Sequence, residues 1–207
     1  EIETNKNIFD DQILNLMDFN CEQRDAVHFF YTLPFAKNKA LIETTWLSNL
    51  ENESYNNYDL QLENYIKNNL GVKNYKINFT EKGAIPLFYP AAKNKDKINI
   101  GSAGNMTRLS TGYTFLNIQE HSKYIRKNLD NIKDKKPYHI GKKYEFLDKI
   151  FLKVLKNNPE KMPDIFFKMF KGSANTVIKF LSNKSNFFDD ISIILKMPKW
   201  IFLKALF

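Results

Sequence analysis

The sequence predicts an α+β chain, with an antiparallel sheet in its first part and an α-helical tail behind it. Three observations carry that expectation. Two runs rich in β-branched and aromatic residues, Asp25 to Leu33 and Ala40 to Leu47, flank the polar tip Lys37-Asn38-Lys39, which is the pattern of a β-hairpin. The stretch KINIGSAGNMTRLSTGYTF, Lys97 to Phe115, runs from alternating residues through small ones into a helical period. From Tyr144 onward, apolar residues recur at intervals of three and four with lysines between them, and Pro159, Pro163 and Pro198 divide the tail into short helices.

Taken in order, Asn7 to Asn20 keeps no helical period and reads as a strand or irregular segment ending at Met17-Asp18-Phe19. The strand from Asp25 ends at Pro34, which has no N–H to give to a ladder. In the next strand the alternation puts Ala40, Ile42, Thr44 and Trp46 on one face and Leu41, Glu43 and Thr45 on the other. Residues 50 to 57 are polar and loop-like; a helix follows from Asn57 to Asn69, striped by Tyr58, Leu62, Tyr65 and Ile66 and stopped by Gly71. Tyr75, Ile77 and Phe79 alternate as a third strand, and Ile85 to Tyr89 forms a fourth, broken by Pro86 and closed by Pro90. After the polar tip Lys93 to Lys97, the residues Lys97 to Ile100 make a short strand. Gly101, Ala103 and Gly104 then form a small-residue turn, and a helix carries Phe115, Ile118, Ser122, Ile125 and Leu129. A charged link, Asp130 to Lys143, leads to the tail, so the expected division is 1–129 and 130–207.

The 207 residues, 43% hydrophobic, can bury a sizeable core, and 18 Phe with 10 Tyr imply a large apolar interior or a greasy site. The single Cys21 excludes an internal disulfide. Charge is uneven: residues 1–120 carry 12 Lys/Arg against 15 Asp/Glu, whereas residues 121–207 carry 19 against 8. The basic tail is a solvated helical face or a surface that leans on an anionic membrane. No apolar run reaches the roughly 18–20 residues that span a bilayer, and no secretory signal opens the chain. The histidines at 28, 121 and 139 have no metal-like spacing to one another or to Cys21. GxxxxGK[ST], GxGxxG after a strand and a hydrolase elbow are absent, and no nucleic-acid reader motif accompanies the basic tail.

Two places carry chemistry. Glu43 is a carboxylate in an otherwise apolar strand; it faces water on an exposed sheet, or stands in an apolar cavity as a general acid or base. The turn at Gly101, Ala103 and Gly104, with Ser110-Thr111-Gly112 before the helix, is an ordinary connection or a place where open backbone N–H groups meet an anion such as a phosphate.

Five motifs can be read together: LMDF at 16–19, FFYTLPF at 29–35, ALIETT at 40–45, EKGAIPL at 81–87 and IGSAGNMTRLSTGY at 100–113. In order and spacing they resemble the C-terminal half of the flavin-dependent lycopene cyclase family, over residues 8 to 126. The resemblance implies an antiparallel substrate-covering sheet, then the second half of an FAD-binding, hydroxylase-like fold, then a helical tail. The chain begins at Glu1 without the family's N-terminal βαβ unit, so it is expected to be a fragment, inactive alone.

The implied reaction is a cyclisation without net redox change in carotenoid biosynthesis. A linear end of lycopene is protonated, the cation is captured by a neighbouring double bond, and loss of a proton leaves a ring. The resemblance implies reduced FAD as cofactor, with NAD(P)H as the source of reduction, lycopene or a related carotene as substrate, and a cytoplasmic enzyme bound peripherally to a membrane surface. Glu43 matches the family's acidic residue, and Thr44 stands where a second acid is usual. Gly101, Ala103, Gly104, Ser110, Thr111, Gly112 and Tyr113 match its flavin-side turn, with Asn105 where glycine is common. Phe29, Tyr31 and Trp46 are candidate cavity aromatics, as is Phe30. The alternatives are a flavin hydroxylase or prenyl reductase on the same scaffold, and a non-catalytic basic module that binds anionic lipid.

Overall fold

A computed structural model describes residues 1–49, 57–90 and 97–207; the loop expected at 50–57 and the tip at 93–97 lie largely outside them. The chain divides into two compact units, Glu1–Gly83 and Ala84–Phe207.

The first unit is a five-stranded antiparallel sheet in the order β2-β3-β4-β1-β5, built of β1 (Ile2–Glu3), β2 (Asn15–Asp18), β3 (Val27–Ala36), β4 (Lys39–Leu47) and β5 (Lys76–Ile77). The expected hairpin is its centre: β3 and β4 pair from Val27↔Leu47 to Ala36↔Lys39 around Lys37-Asn38. Pro34 does not end β3. It sits opposite Ala40 where the register shifts, an irregularity that absorbs the missing N–H and lets the strand reach Ala36.

The helix expected at 57–69 forms as α1 (Tyr58–Asn64), continued by a π-helical turn over Tyr65–Asn69. The wider turn brings both Tyr65 and Ile66 into the core with Ile2, Phe30, Ala40, Ile42 and Val72. Tyr65 stacks on Phe30 with centroids 4.0 Å apart, and its hydroxyl donates to Asp18 Oδ2 at 2.7 Å. Gly71 at φ +69° follows, a left-handed stop that suits glycine.

The second unit is helical. A 3-10 turn at Gly101–Gly104 precedes α2 (Phe115–Lys127), and α3 (Lys142–Asn157), α4 (Met162–Phe170), α5 (Ala174–Leu181), α6 (Phe187–Ile194) and α7 (Lys199–Lys204) form the tail. Val154, Met162, Ile165, Phe166 and Val177 are buried in its core. Phe167 and Ile178 are exposed. Two expected strands are corrected: Ile85–Tyr89 and Lys97–Ile100 form none. Ile100 is extended, but a strand needs a partner as well as alternation, and among the described residues neither run has one.

Candidate functional site

The register of β3 and β4 decides what surrounds Glu43. Tyr31 lies directly opposite it, Phe29 opposite Thr45 and Leu33 opposite Leu41, so these side chains share one face of the sheet. Phe29 is buried, with Phe19 edge-on at 5.6 Å and Tyr31 edge-on at 5.2 Å. Burial, and secondly the charge of Glu43, pushes the Tyr31 phenol up to about 12. Glu43 itself is exposed at the rim of this aromatic face and accepts a hydrogen bond from Thr45 Oγ1 at 2.9 Å. The residues of its own unit therefore do not build the apolar enclosure considered for it.

Trp46 projects from the opposite face. It stacks on His28 with centroids 3.9 Å apart and donates from Nε1 to Gln61 Oε1 at 2.9 Å. His28 is buried, its Nδ1–H donating to the Glu22 carbonyl at 2.9 Å and its Nε2 accepting from the Thr44 hydroxyl at 2.8 Å. Burial holds its pKa below 6.5. Thus Phe29 and Tyr31 accompany Glu43, whereas Phe30, Thr44 and Trp46 belong to the other side.

In the second unit, Gly101 (φ +60°) opens the 3-10 turn, and Asn105 (φ 62°) closes it in the left-handed region. A side chain at Gly104 would place its Cβ 2.5 Å from the Asn99 carbonyl oxygen, so the chain's own backbone accounts for that glycine. The N–H groups of Gly101, Ser102 and Ala103 stand at the start of the turn, where no acceptor within it can reach them, and Ser102 and Ala103 are exposed. Asn105 Oδ1 is buried with no hydrogen-bond partner among the described residues.

The Ser110-Thr111-Gly112 segment does not cap α2, whose N-cap is Thr114. It forms a tight loop in which Arg108 N–H donates to the Tyr113 carbonyl at 2.9 Å and Gly112 N–H (φ +71°) to the Arg108 carbonyl at 2.8 Å. Ser110 is buried and its hydroxyl donates to Asp148 Oδ1 at 2.7 Å, while Thr111 and Tyr113 are exposed.

Arg108 and Asp148 were not singled out by the sequence, yet they are the hub of this loop, with relative exposures of 0% and 1%. A carboxylate four residues after Tyr144, inside the apolar stripe of α3, is the signal that could have found Asp148. The N–H groups of Gly101, Ser102 and Ala103, which have no acceptor among the described residues, and the exposed Thr111 and Tyr113 suit a polyanionic cofactor such as a dinucleotide. Ser110 and Gly104 serve the loop itself. Clefts of about 330 Å³, beside Glu63, Lys67 and Tyr75, and about 210 Å³, beside Asn117, Tyr144 and Asn183, involve none of the sequence-derived site residues.

No curated protein and no solved structure matches the chain. A family model described as "Lycopene cyclase protein" matches residues 1–206, nearly the whole sequence. That match takes in both the Glu43 hairpin and the turn of Gly101 and Asn105, and the chain belongs to the lycopene cyclase family.

Proposed function

We propose that this chain supplies the substrate-covering sheet and one side of the flavin site of a carotenoid cyclase, which converts linear ends of lycopene to ionone rings. The observation that carries this reading is the cross-strand pair of Glu43 and Tyr31, beside Phe29, in a chain matched by the family model from end to end.

Cyclisation of a terminal isoprenoid end is an isomerisation, so one proton enters and one leaves. Glu43, as the carboxylic acid, gives its proton to the terminal double bond, and a tertiary cation forms. The neighbouring double bond attacks that cation and closes the ring. Loss of a ring proton, returned to the Glu43 carboxylate, regenerates a double bond and the acid. Exposure of Glu43 in the bare sheet is compatible with this, because a hydrocarbon laid over Phe29 and Tyr31 displaces the water that the carboxyl otherwise meets. Tyr31 stays protonated far above neutral pH, and its ring and that of Phe29 offer negative faces to a short-lived cation. Thr44, hydrogen-bonded to His28 behind the sheet, takes no part in proton transfer, which leaves one acid in this reading.

The backbone donors of Gly101, Ser102 and Ala103, with Thr111 and Tyr113, would hold FAD. When bound, the reduced cofactor supplies an electron-rich ring system that stabilises positive charge. Exposed Phe187, Phe188, Trp200 and Leu203 together with the lysines of the tail support a peripheral contact with an anionic membrane, from which a water-insoluble carotene is drawn.

Expression of Glu43→Gln in carotene-producing cells, within the protein that carries this chain, tests the reading. Ring formation falls at least 100-fold while bound FAD, measured by absorbance, is retained. Unchanged ring formation removes Glu43 from the mechanism.

A further inference from the structure

The Arg108–Asp148 pair joins two parts of the second unit that are 40 residues apart in sequence. Asp148 Oδ1 and Oδ2 accept from Arg108 Nε at 3.2 and 2.9 Å, and Oδ1 accepts from Nη2 at 2.7 Å. The same carboxylate takes the Leu109 N–H at 3.1 Å and the Ser110 hydroxyl at 2.7 Å. Three consecutive residues of the loop therefore converge on one anion carried by α3. Arg108 Nη1 continues to the Phe180 carbonyl at 3.1 Å and to Asn183 Oδ1. Asn183 in turn donates to Asn117 Oδ1 at 2.7 Å, and Asn117 Nδ2 donates to the Met106 carbonyl at 2.9 Å, closing a ring of contacts back onto the loop. The guanidinium lies 4.8 Å from the Tyr144 ring centroid and 5.5 Å from that of Phe180.

A buried ion pair is by itself weak evidence of stabilisation, because desolvation offsets its Coulomb attraction. This one spends its acceptor capacity on the backbone and hydroxyl of residues 109 and 110, which an apolar pair could not satisfy. We infer that Asp148 is a positioning residue: the helical tail clamps the 105–114 loop, and so fixes the flavin-side turn, through this carboxylate. The flavin part rests on the function proposed above; the clamp does not.

The double variant Arg108→Leu/Asp148→Leu separates positioning from plain stability. Removing both charges avoids a stranded ion, so its melting temperature recovers relative to Asp148→Leu alone. Hydrogen exchange at Leu109, Thr111 and Gly112 nevertheless rises at least tenfold over the parent, with α3 to α6 still protected, and the FAD dissociation constant of the flavin-loaded protein rises at least tenfold. Parental protection of those three amides in the double variant overturns the clamp. If the double variant does not fold, Asp148→Asn decides: exchange at Leu109 rises severalfold, and unchanged exchange overturns the proposal. Loosened amides with unaltered FAD affinity overturn the link to flavin and leave the clamp standing. A parent that binds no FAD defeats the flavin reading alone, since the exchange measurement needs no cofactor.

Discussion

Asn105 performs a task usually left to glycine: it holds the left-handed region at φ 62°, a conformation its short side chain tolerates better than most. Its neighbour Gly104 answers to the Asn99 carbonyl, so the two small positions that look alike in sequence have different causes. Glu43 was legible because alternation alone sets its face. Asp148 was only half legible: its place in the apolar stripe of α3 marks it as unusual, but a helical period cannot name a partner that lies 40 residues away. His28 gives a prediction at this scale. Burial depresses its pKa in the folded protein, with Arg24 adding to the effect and the contacts to Glu22 opposing it. The unfolded chain therefore binds a proton first as pH falls below 6.5; the stability contributed by neutral His28 is complete above that pH and is lost as pH falls through the folded value. His121, also depressed by burial, adds a slope of the same sign. Urea midpoints at pH 7.5 and 5.5 should accordingly fall by less in His28→Gln than in the parent, and equal falls would show that His28 carries no such linkage.

Among the elements, the β3–β4 hairpin and α1 were readable because each has a strong local period and a clear stop. The runs at 85–89 and 97–100 were misread for a shared reason. Alternation reports an extended backbone, whereas a sheet is made by a partner strand that no local pattern names, and Pro86 and Pro90 withhold donors from any such ladder. The two-residue β1 was missed because a strand that short has no period, yet it joins β4 to β5. Helix α6 has the best-defined start in the tail. Asn186 accepts from the Asp189 N–H at 2.9 Å, and Asp189 Oδ2 accepts from the Asn186 N–H at 3.1 Å, a reciprocal capping box. Asn186→Ala should cost about 1 kcal/mol. In a chain of this size that lowers the melting temperature by roughly 2–4 °C, measurable by circular dichroism at 222 nm.

For the molecule as a whole, the patterning of apolar residues foresaw the α+β class. It could not foresee the boundary of the compact units at Gly83, since the contacts that define them are not local. Among the described residues, no helix is long and apolar enough to cross a membrane. Trp200, 79% exposed, flanked by Lys196, Lys199 and Lys204, makes surface contact measurable. Vesicles containing a third phosphatidylserine should bind the chain and shift its tryptophan emission to the blue, and raising salt from 0.05 to 0.5 M should reverse most of the binding; neutral vesicles serve as the reference. Equal partition to both kinds of vesicle would remove charge from the explanation.

The span between Arg108 and Asp148 also bears on how the chain is made. A ribosome adding about 5–20 residues per second delivers the loop some seconds before the helix that carries its counter-ion. During that interval a guanidinium destined for complete burial must remain hydrated, so nascent chains released before residue 148 expose an unfinished loop to proteolysis. The Arg108 loop is thus complete only once α3 has been made.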